Sequence, residues 1–134
     1  MRRYSIDELR QMRESEDRIE FKKGENGNVS YNGRGSNKPN ERRRCILGYV
    51  AALCNEGGGR IVIGMHDNYP HAVTGTSQCE NALGQLESDI YRDMGVRPDV
   101  YELFEEGTDK RVLVIEVPGR PIGKVFKFED VALM

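Results

Sequence analysis

The chain has few of the features that mark secreted, membrane or zinc-binding proteins. Among 134 residues there are only three cysteines, Cys45, Cys54 and Cys79, and no two of them have CxxC spacing. This argues against a disulfide framework and a zinc site. No apolar run approaches the roughly 20 residues of a membrane-spanning helix, and no secretion signal follows the N-terminal arginines. We therefore expect a cytoplasmic protein with no membrane partner, in which the cysteines are small buried hydrophobic residues.

A nucleotide-binding loop is also missing. The pattern GxxxxGK[ST] does not occur, and the glycine run Gly57–Gly59 follows a helical pattern instead of opening one, so the geometry that cradles phosphate is absent. His66 and His71 have no paired Cys or His at metal-ligand spacing. We interpret both histidines as turn residues.

The composition that is present fits one soluble domain. Hydrophobic residues make up 37% and charged residues 31% of the chain, as in ordinary globular proteins. A chain of this size buries roughly two thirds of its unfolded surface in a single core. The sequence ends on four apolar residues, 131–134, without a polar tail. We expect residues 1–134 to form one domain, the N-terminal domain of a longer protein.

Hydrophobic periodicity predicts an α+β fold with three helices. Ser5 and Glu8 have the spacing of a capping box for a first helix over residues 5–14. Asn40 is expected to cap a central helix, with arginines 42–44 in its first turn and its end at the glycines. Apolar residues between 82 and 94 mark the third helix.

Alternating apolar residues predict a mixed sheet of about five to six strands in this single domain. In the first of these strands, Ile19 and Phe21 are expected to face the core while Glu20 and Lys22 face the other way. Turn residues between 104 and 111 predict a hairpin. The expected strands are 18–22, 60–66, 71–75, 99–104, 111–117 and 125–128.

A run of glycines joins the central helix to a strand. The stretch reads Cys54-Asn55-Glu56-Gly57-Gly58-Gly59-Arg60-Ile61-Val62-Ile63-Gly64-Met65-His66-Asp67. Three glycines permit positive φ after a helix end, so the chain reverses tightly and enters the sheet. Asp67 then lies at the exit of the strand, where functional groups are common.

Positive charge is concentrated in residues 22–44. This segment has seven Lys or Arg against two glutamates, which gives it a net charge of +5. Because the whole chain has a net charge of −2, the residues outside the segment carry −7. The cations are Lys22, Lys23, Arg34, Lys38, Arg42, Arg43 and Arg44. Residues 24–40 are rich in Gly and Asn, which predicts a long loop. We expect the segment to track a phosphate backbone, with Tyr31 stacking on a base; a solvated basic surface is the alternative.

Several local signatures, in this order, resemble the Schlafen-like AlbA domain, also known as the divergent AAA-type domain. They are Glu14-Ser15, Glu20-Phe21-Lys22, Ala52-Leu53-Cys54-Asn55, Gly57-Gly58-Gly59, Ile63-Gly64-Met65-His66-Asp67 and Val117-Pro118. The resemblance implies a nucleic-acid-binding α+β domain at the N-terminus of a bacterial transcriptional regulator. The chain departs from the family pattern in its long loop before the central helix and in Leu53-Cys54, where Phe-Ala is usual.

The same resemblance implies a second function. Eukaryotic Schlafen relatives use three carboxylates as a metal-assisted ribonuclease site, and the matching positions are Glu14 or Glu16, Glu20 and Asp67. Glu20 and Asp67 would be the metal ligands. Converging carboxylates bind Mg²⁺ or Mn²⁺ and can activate water against a phosphodiester. The spacing before Glu20 departs from the family pattern whichever glutamate is chosen, and solvated carboxylates are the alternative.

We favour a non-enzymatic DNA-binding module over this nuclease, and we expect no cofactor for it. The nuclease hypothesis, by contrast, requires Mg²⁺ or Mn²⁺. A third class is a protein-interaction or oligomerisation domain. The apolar C-terminal strand has an edge that can pair with another chain. A homodimer is the corresponding alternative.

Overall fold

The computed structural model describes residues 3–23, 30–31, 45–119, 127–128 and 131–132. Within them, the elements in chain order are α1 (Ile6–Arg10), α2 (Glu14–Asp17), β1 (Ile19–Lys22), α3 (Ile46–Asn55), β2 (Gly58–Ile63), α4 (Leu83–Met94), β3 (Asp99–Phe104), β4 (Arg111–Pro118), β5 (Lys127–Phe128) and β6 (Val131–Ala132). The α+β prediction is confirmed. The three predicted helices are present, and the first is followed by the separate short α2 because Arg13 is extended.

Four strands form one mixed sheet, in the order β1-β2-β4-β3. β1 is parallel to β2, whereas β4 is antiparallel to β2 and to β3. The predicted five to six strands are not confirmed: within the described residues β5 and β6 form a separate two-stranded sheet, and residues 71–75 contribute one bridge, between Met65 and Val73. The reason is Gly64, whose φ of 107° turns the chain and whose carbonyl accepts the amides of Thr74 and Gly75.

Both faces of the sheet are covered. On one face α3 and α4 pack against the strands, with Ile61, Ile63, Leu113 and Ile115 in that core. On the other face Leu9 of α1 packs with Phe21, Val62, Val112 and Val114. Because side chains alternate between two buried faces, β2 and β4 read as nearly continuous apolar runs. None of the described helices has the length and apolar character needed to cross a bilayer.

The two helix starts differ in how well the sequence predicts them. The capping box of α1 is confirmed, with the Glu8 amide donating to Ser5 Oγ at 3.2 Å and the Ser5 amide donating to Glu8 Oε1 at 3.1 Å. The predicted cap of the central helix is wrong, because α3 begins at Ile46 and Cys45 Sγ accepts the Gly48 amide at 3.3 Å. Its first turn therefore does not contain arginines 42–44, which, like Asn40, lie outside the described residues.

All three cysteines are thiols. Cys45 and Cys54 are buried, whereas Cys79 is only half-buried. Burial nevertheless raises the pKa of the Cys79 thiol. The interpretation of the cysteines as small hydrophobic residues is confirmed for the two in and beside α3.

An ion pair with a buried carboxylate lies on the α1 face of the sheet. Arg60 Nε of β2 donates to Glu116 Oε1 of β4 at 2.8 Å, and Tyr101 Oη of β3 donates to Glu116 Oε2 at 3.0 Å. Arg60 Nη1 also donates to the carbonyl of Asp17 at 3.0 Å. Each oxygen of the buried carboxylate thus has a donor, as burial of a charge requires. The network ties three strands to the end of α2.

The glycine turn is confirmed and is tightly packed. Gly57 and Gly58 have φ of 104° and 98°. A Cβ at Gly58 would lie 2.7 Å from the Val117 carbonyl oxygen, and one at Gly59 would lie 2.6 Å from the Arg18 carbonyl oxygen. The absence of side chains lets β2 enter the sheet between β1 and β4.

We predict that Gly58→Ala destabilises the protein by about 2 kcal/mol or more, since it combines a left-handed backbone with a backbone clash. Gly84→Ala is the matched control, because a Cβ there meets nothing within 4 Å. Gly84→Ala should not lower the free energy of unfolding, and the higher helix propensity of Ala should raise it by up to about 1 kcal/mol. Urea unfolding of both variants measures the difference, and equal stabilities would contradict the packing described for the turn.

Candidate nucleic-acid interface

The basic segment leaves the fold at the carboxyl end of β1. The Lys22 carbonyl accepts the Gly64 amide at 2.7 Å, and the Lys23 carbonyl accepts the Thr74 hydroxyl at 2.5 Å. Both contacts join it to the chain that follows β2. The position of Lys22 and Lys23 is therefore set by the sheet.

The segment is fastened again before α3 begins. The Ser30 carbonyl accepts the Ile46 amide at 2.8 Å and the Tyr31 carbonyl accepts the Leu47 amide at 3.1 Å. Two of the first amides of α3, which lack partners within the helix, are satisfied in this way. The backbone carbonyls of residues 30–31 thus accept hydrogen bonds from amides at the start of α3, which is the role predicted for the Asn40 side chain. These two amides therefore need no polar capping side chain.

Tyr31 is an anchor of this segment. Its hydroxyl donates to Asp89 Oδ2 of α4 at 2.6 Å, and its half-buried ring packs against the α3 and α4 core. Burial, together with the Asp89 carboxylate, raises the pKa of Tyr31. Asp89 also accepts from Gln85 and Arg92 through Oδ1. These contacts do not favour the predicted stacking of Tyr31 on a base.

Two of the seven predicted phosphate-binding cations lie in the described residues. Lys22 is partly covered, with Nζ 4.4 Å from the ring centroid of Tyr49 on α3 and 3.6 Å from Glu20 Oε2. Lys23 is exposed. The other five, Arg34, Lys38, Arg42, Arg43 and Arg44, lie outside the described residues and remain predictions.

The predicted catalytic carboxylates have different surroundings. Glu14 Oε1 accepts the Phe21 amide at 3.1 Å, which satisfies a donor of the edge strand β1. Glu20 faces away from Phe21, as predicted, and pairs with Lys22. Asp67 is exposed beside His66, with Oδ1 3.2 Å from Nδ1. Glu16 lies in α2, but its side chain is outside the described part of the chain.

Glu14 and Glu20 line one cleft of about 320 Å³, together with Arg18 and Glu56. Asp67 does not line it. Among the side chains that the structure describes, no three of His, Cys, Asp or Glu are grouped closely enough to hold a metal ion. The structure thus brings two of the predicted carboxylates together without the third.

His71 is more than a turn residue. Its φ is 55°, yet the residue is only 2% exposed, and its ring stacks on Phe21 with centroids 3.7 Å apart. Its nitrogens lie 2.9 Å from the His66 carbonyl oxygen and 2.7 Å from the Met12 carbonyl oxygen. The imidazole therefore fastens residues 66–71 to the chain between α1 and α2. No spacing in the sequence indicates this, because both partners are backbone groups.

Asp89 is a second functional group that the sequence patterns did not predict. A signal for it exists, since Asp89 falls between Leu86 and Ile90 on the buried stripe of α4. A carboxylate on such a stripe requires a hydrogen-bonding partner. That the partner is Tyr31, 58 positions away, follows only from the fold.

The model of the family described as Schlafen, AlbA_2 matches residues 15–130. A comparison with curated proteins finds no match.

Two solved structures are similar in fold. The N-terminal domain of an ATP-dependent DNA helicase RecG-related protein from Nitrosomonas europaea has a TM-score of 0.51 at 18% identity, with 90% of this chain and 76% of that chain covered. The DIP2311 protein from Corynebacterium diphtheriae has a TM-score of 0.53 at 20% identity, with 88% of this chain covered. The aligned region is only 24% of that chain. At these identities the likeness shows the fold alone.

We predict that Tyr31→Phe lowers the free energy of unfolding by about 1 to 2 kcal/mol at neutral pH, because Asp89 loses a donor. The unfolded phenol ionises near pH 10, whereas the folded phenol has a raised pKa. The advantage of wild type over Tyr31→Phe is therefore complete below about pH 10 and is lost as the pH rises through the raised value.

Urea unfolding of both proteins from about pH 8 to about pH 11 measures this advantage. Tyr91→Phe, at an exposed position of the same helix, should cost less than about 0.5 kcal/mol at neutral pH. An advantage of wild type that grows above pH 10 would refute the anchoring role.

Proposed function

Because the chain belongs to the Schlafen AlbA_2 family, we propose that it is a nucleic-acid-binding module, with DNA as the partner, in a cytoplasmic transcriptional regulator. The main support is the way the basic segment is attached. Residues 22–44 carry +5, and the segment is fastened at Lys22 and Lys23, at residues 30–31 and at Cys45. The description of the Nitrosomonas europaea neighbour as related to a DNA helicase is compatible with this partner.

Electrostatics orients the nucleic acid on this module. The rest of the chain carries −7, so phosphates are attracted to the basic segment and repelled elsewhere. Lys and Arg contacts to phosphate give affinity and register without reading sequence. A segment fastened at several points also loses less conformational freedom on binding than a free tail does.

We predict that replacing Arg42, Arg43 and Arg44 together by Ala weakens duplex DNA binding on the order of tenfold or more at low salt and reduces the slope of log K against log salt by about 3. Each lost phosphate contact releases about one counterion fewer. Fluorescence anisotropy with a labelled duplex across a salt series measures both quantities.

A matched control removes the same charge near the opposite edge of the sheet. Arg3 pairs with Asp99 of β3, Arg97 lies two residues before β3, and Arg10 lines a cleft with Phe104 of β3. Replacing these three arginines by Ala should leave the salt slope nearly unchanged. If the control triple and the 42–44 triple weaken binding equally, only net charge matters and the proposed surface is wrong.

A metal-dependent nuclease is the second candidate, for which the cleft shared by Glu14 and Glu20 supplies two carboxylates, whereas Asp67 does not line it. Mg²⁺ or Mn²⁺ held there would supply an activated water for phosphodiester cleavage. Glu20→Gln keeps the size of the side chain and removes its charge. It should abolish Mn²⁺-dependent cleavage of structured RNA while binding persists, and no cleavage by wild type would dismiss this candidate.

A further inference from the structure

Arg13 and Tyr69 form an exposed stacked pair. Arg13 Cζ lies 4.0 Å from the centroid of the Tyr69 ring, and Tyr69 is 45% exposed. Within the described residues, the Arg13 guanidinium has no carboxylate partner. Arg13 is also exposed, so the pair presents a cation and an aromatic ring to solvent.

The pair is held in place by the backbone and side chains around it. The Tyr69 hydroxyl donates to Gln11 Oε1 at 3.1 Å. Tyr69 contacts the ring of His71 edge-on with centroids 5.8 Å apart, and His71 is fixed to the Met12 carbonyl. Arg13 directly follows Met12. Both members are thus ordered before any ligand binds, which lowers the entropic cost of binding.

The pair lies beside the attachment point of the basic segment. His71, which touches Tyr69, stacks on Phe21, and Phe21 is followed by Lys22 and Lys23. His71 and Phe21 are buried, so this link runs beneath the surface and reaches the exposed Lys23 two residues after Phe21, whereas Lys22 lies on the opposite face of β1. Proteins that bind single-stranded nucleic acid combine a stacking surface with cations in this way.

We propose that Arg13 and Tyr69 form a stacking site for an unpaired base of a nucleic acid whose phosphates lie along the basic segment. This inference rests on the proposed function and deepens it, since it makes a single strand the preferred form. In a duplex the faces of the bases are already stacked on one another. A free strand can place one base on the guanidinium plane while its backbone contacts Lys23 and the cations that follow.

The chain contains a chemically matched control. Arg97 Cζ lies 4.3 Å from the centroid of the Tyr91 ring, and Tyr91 is 47% exposed. This second pair joins α4 to the chain before β3, so it lies toward the edge of the sheet opposite to β1. Its neighbours in a shared cleft are Glu87, Ser88 and Pro98.

The test uses two labelled single strands that differ only in their bases: one of mixed sequence, and one of the same length with abasic sites throughout. Fluorescence anisotropy of Tyr69→Ala and Arg13→Ala should show a loss on the order of tenfold for the strand with bases and little loss for the abasic strand. Tyr91→Ala and Arg97→Ala should bind both strands as wild type does. Tyr69→Phe, which keeps the ring but loses the bond to Gln11, should lose less affinity for the strand with bases than Tyr69→Ala does.

The outcomes separate this inference from the proposed function. The stacking site is refuted, and the proposed function stands, if wild type binds both strands but Tyr69→Ala loses no more affinity than Tyr91→Ala. The same conclusion follows if Tyr69→Ala loses equal affinity for the strand with bases and for the abasic strand. If wild type prefers a duplex to the strand with bases, the stacking site is also refuted. If wild type binds no nucleic acid of any form, the proposed function fails and the stacking site falls with it.

Discussion

The contact between Arg18 and the glycine turn is the constraint on which the rest of the structure depends. The Arg18 carbonyl accepts the Arg60 amide at 2.9 Å, and the Arg18 guanidinium donates to the Glu56 carbonyl at 2.6 Å. A side chain at Gly59 would collide with this carbonyl. The end of α3 and the starts of β1 and β2 are thus fixed at one point. The parallel register of Ile19 with Arg60 follows, and it determines where β1 ends and the basic segment begins.

Under the proposed function, the positive charge concentrated in this segment attracts a polyanion to a mildly acidic chain. The sheet orders Lys22 and Lys23, the start of α3 orders residues 30–31, and Asp89 holds Tyr31. Tyr31 is occupied by its anchoring contacts, whereas the exposed ring of Tyr69 has the surroundings that base stacking needs. Under the proposed function, phosphate contacts provide affinity and this ring distinguishes strands with free bases.

Local chemistry allowed part of the fold to be predicted. The capping box at Ser5, the hairpin of β3 and β4 and the glycine turn each have a local sequence signal, and all three are confirmed. The start of α3, the burial of His71 and the bond between Tyr31 and Asp89 depend on groups far apart in the chain. Periodicity cannot detect such contacts. Of the candidate site, the sequence correctly placed Lys22 and Glu20 on one side of β1, opposite to Phe21.

Amide hydrogen exchange with and without a bound single strand tests the central claim most directly. Exchange is expected to slow within residues 22–44 and in the chain from 66 to 70, because phosphates contact the first region and a base contacts the second. Exchange in β3, at the opposite edge of the sheet, should not change. Slower exchange in β3 without any change in residues 22–44 would contradict the account.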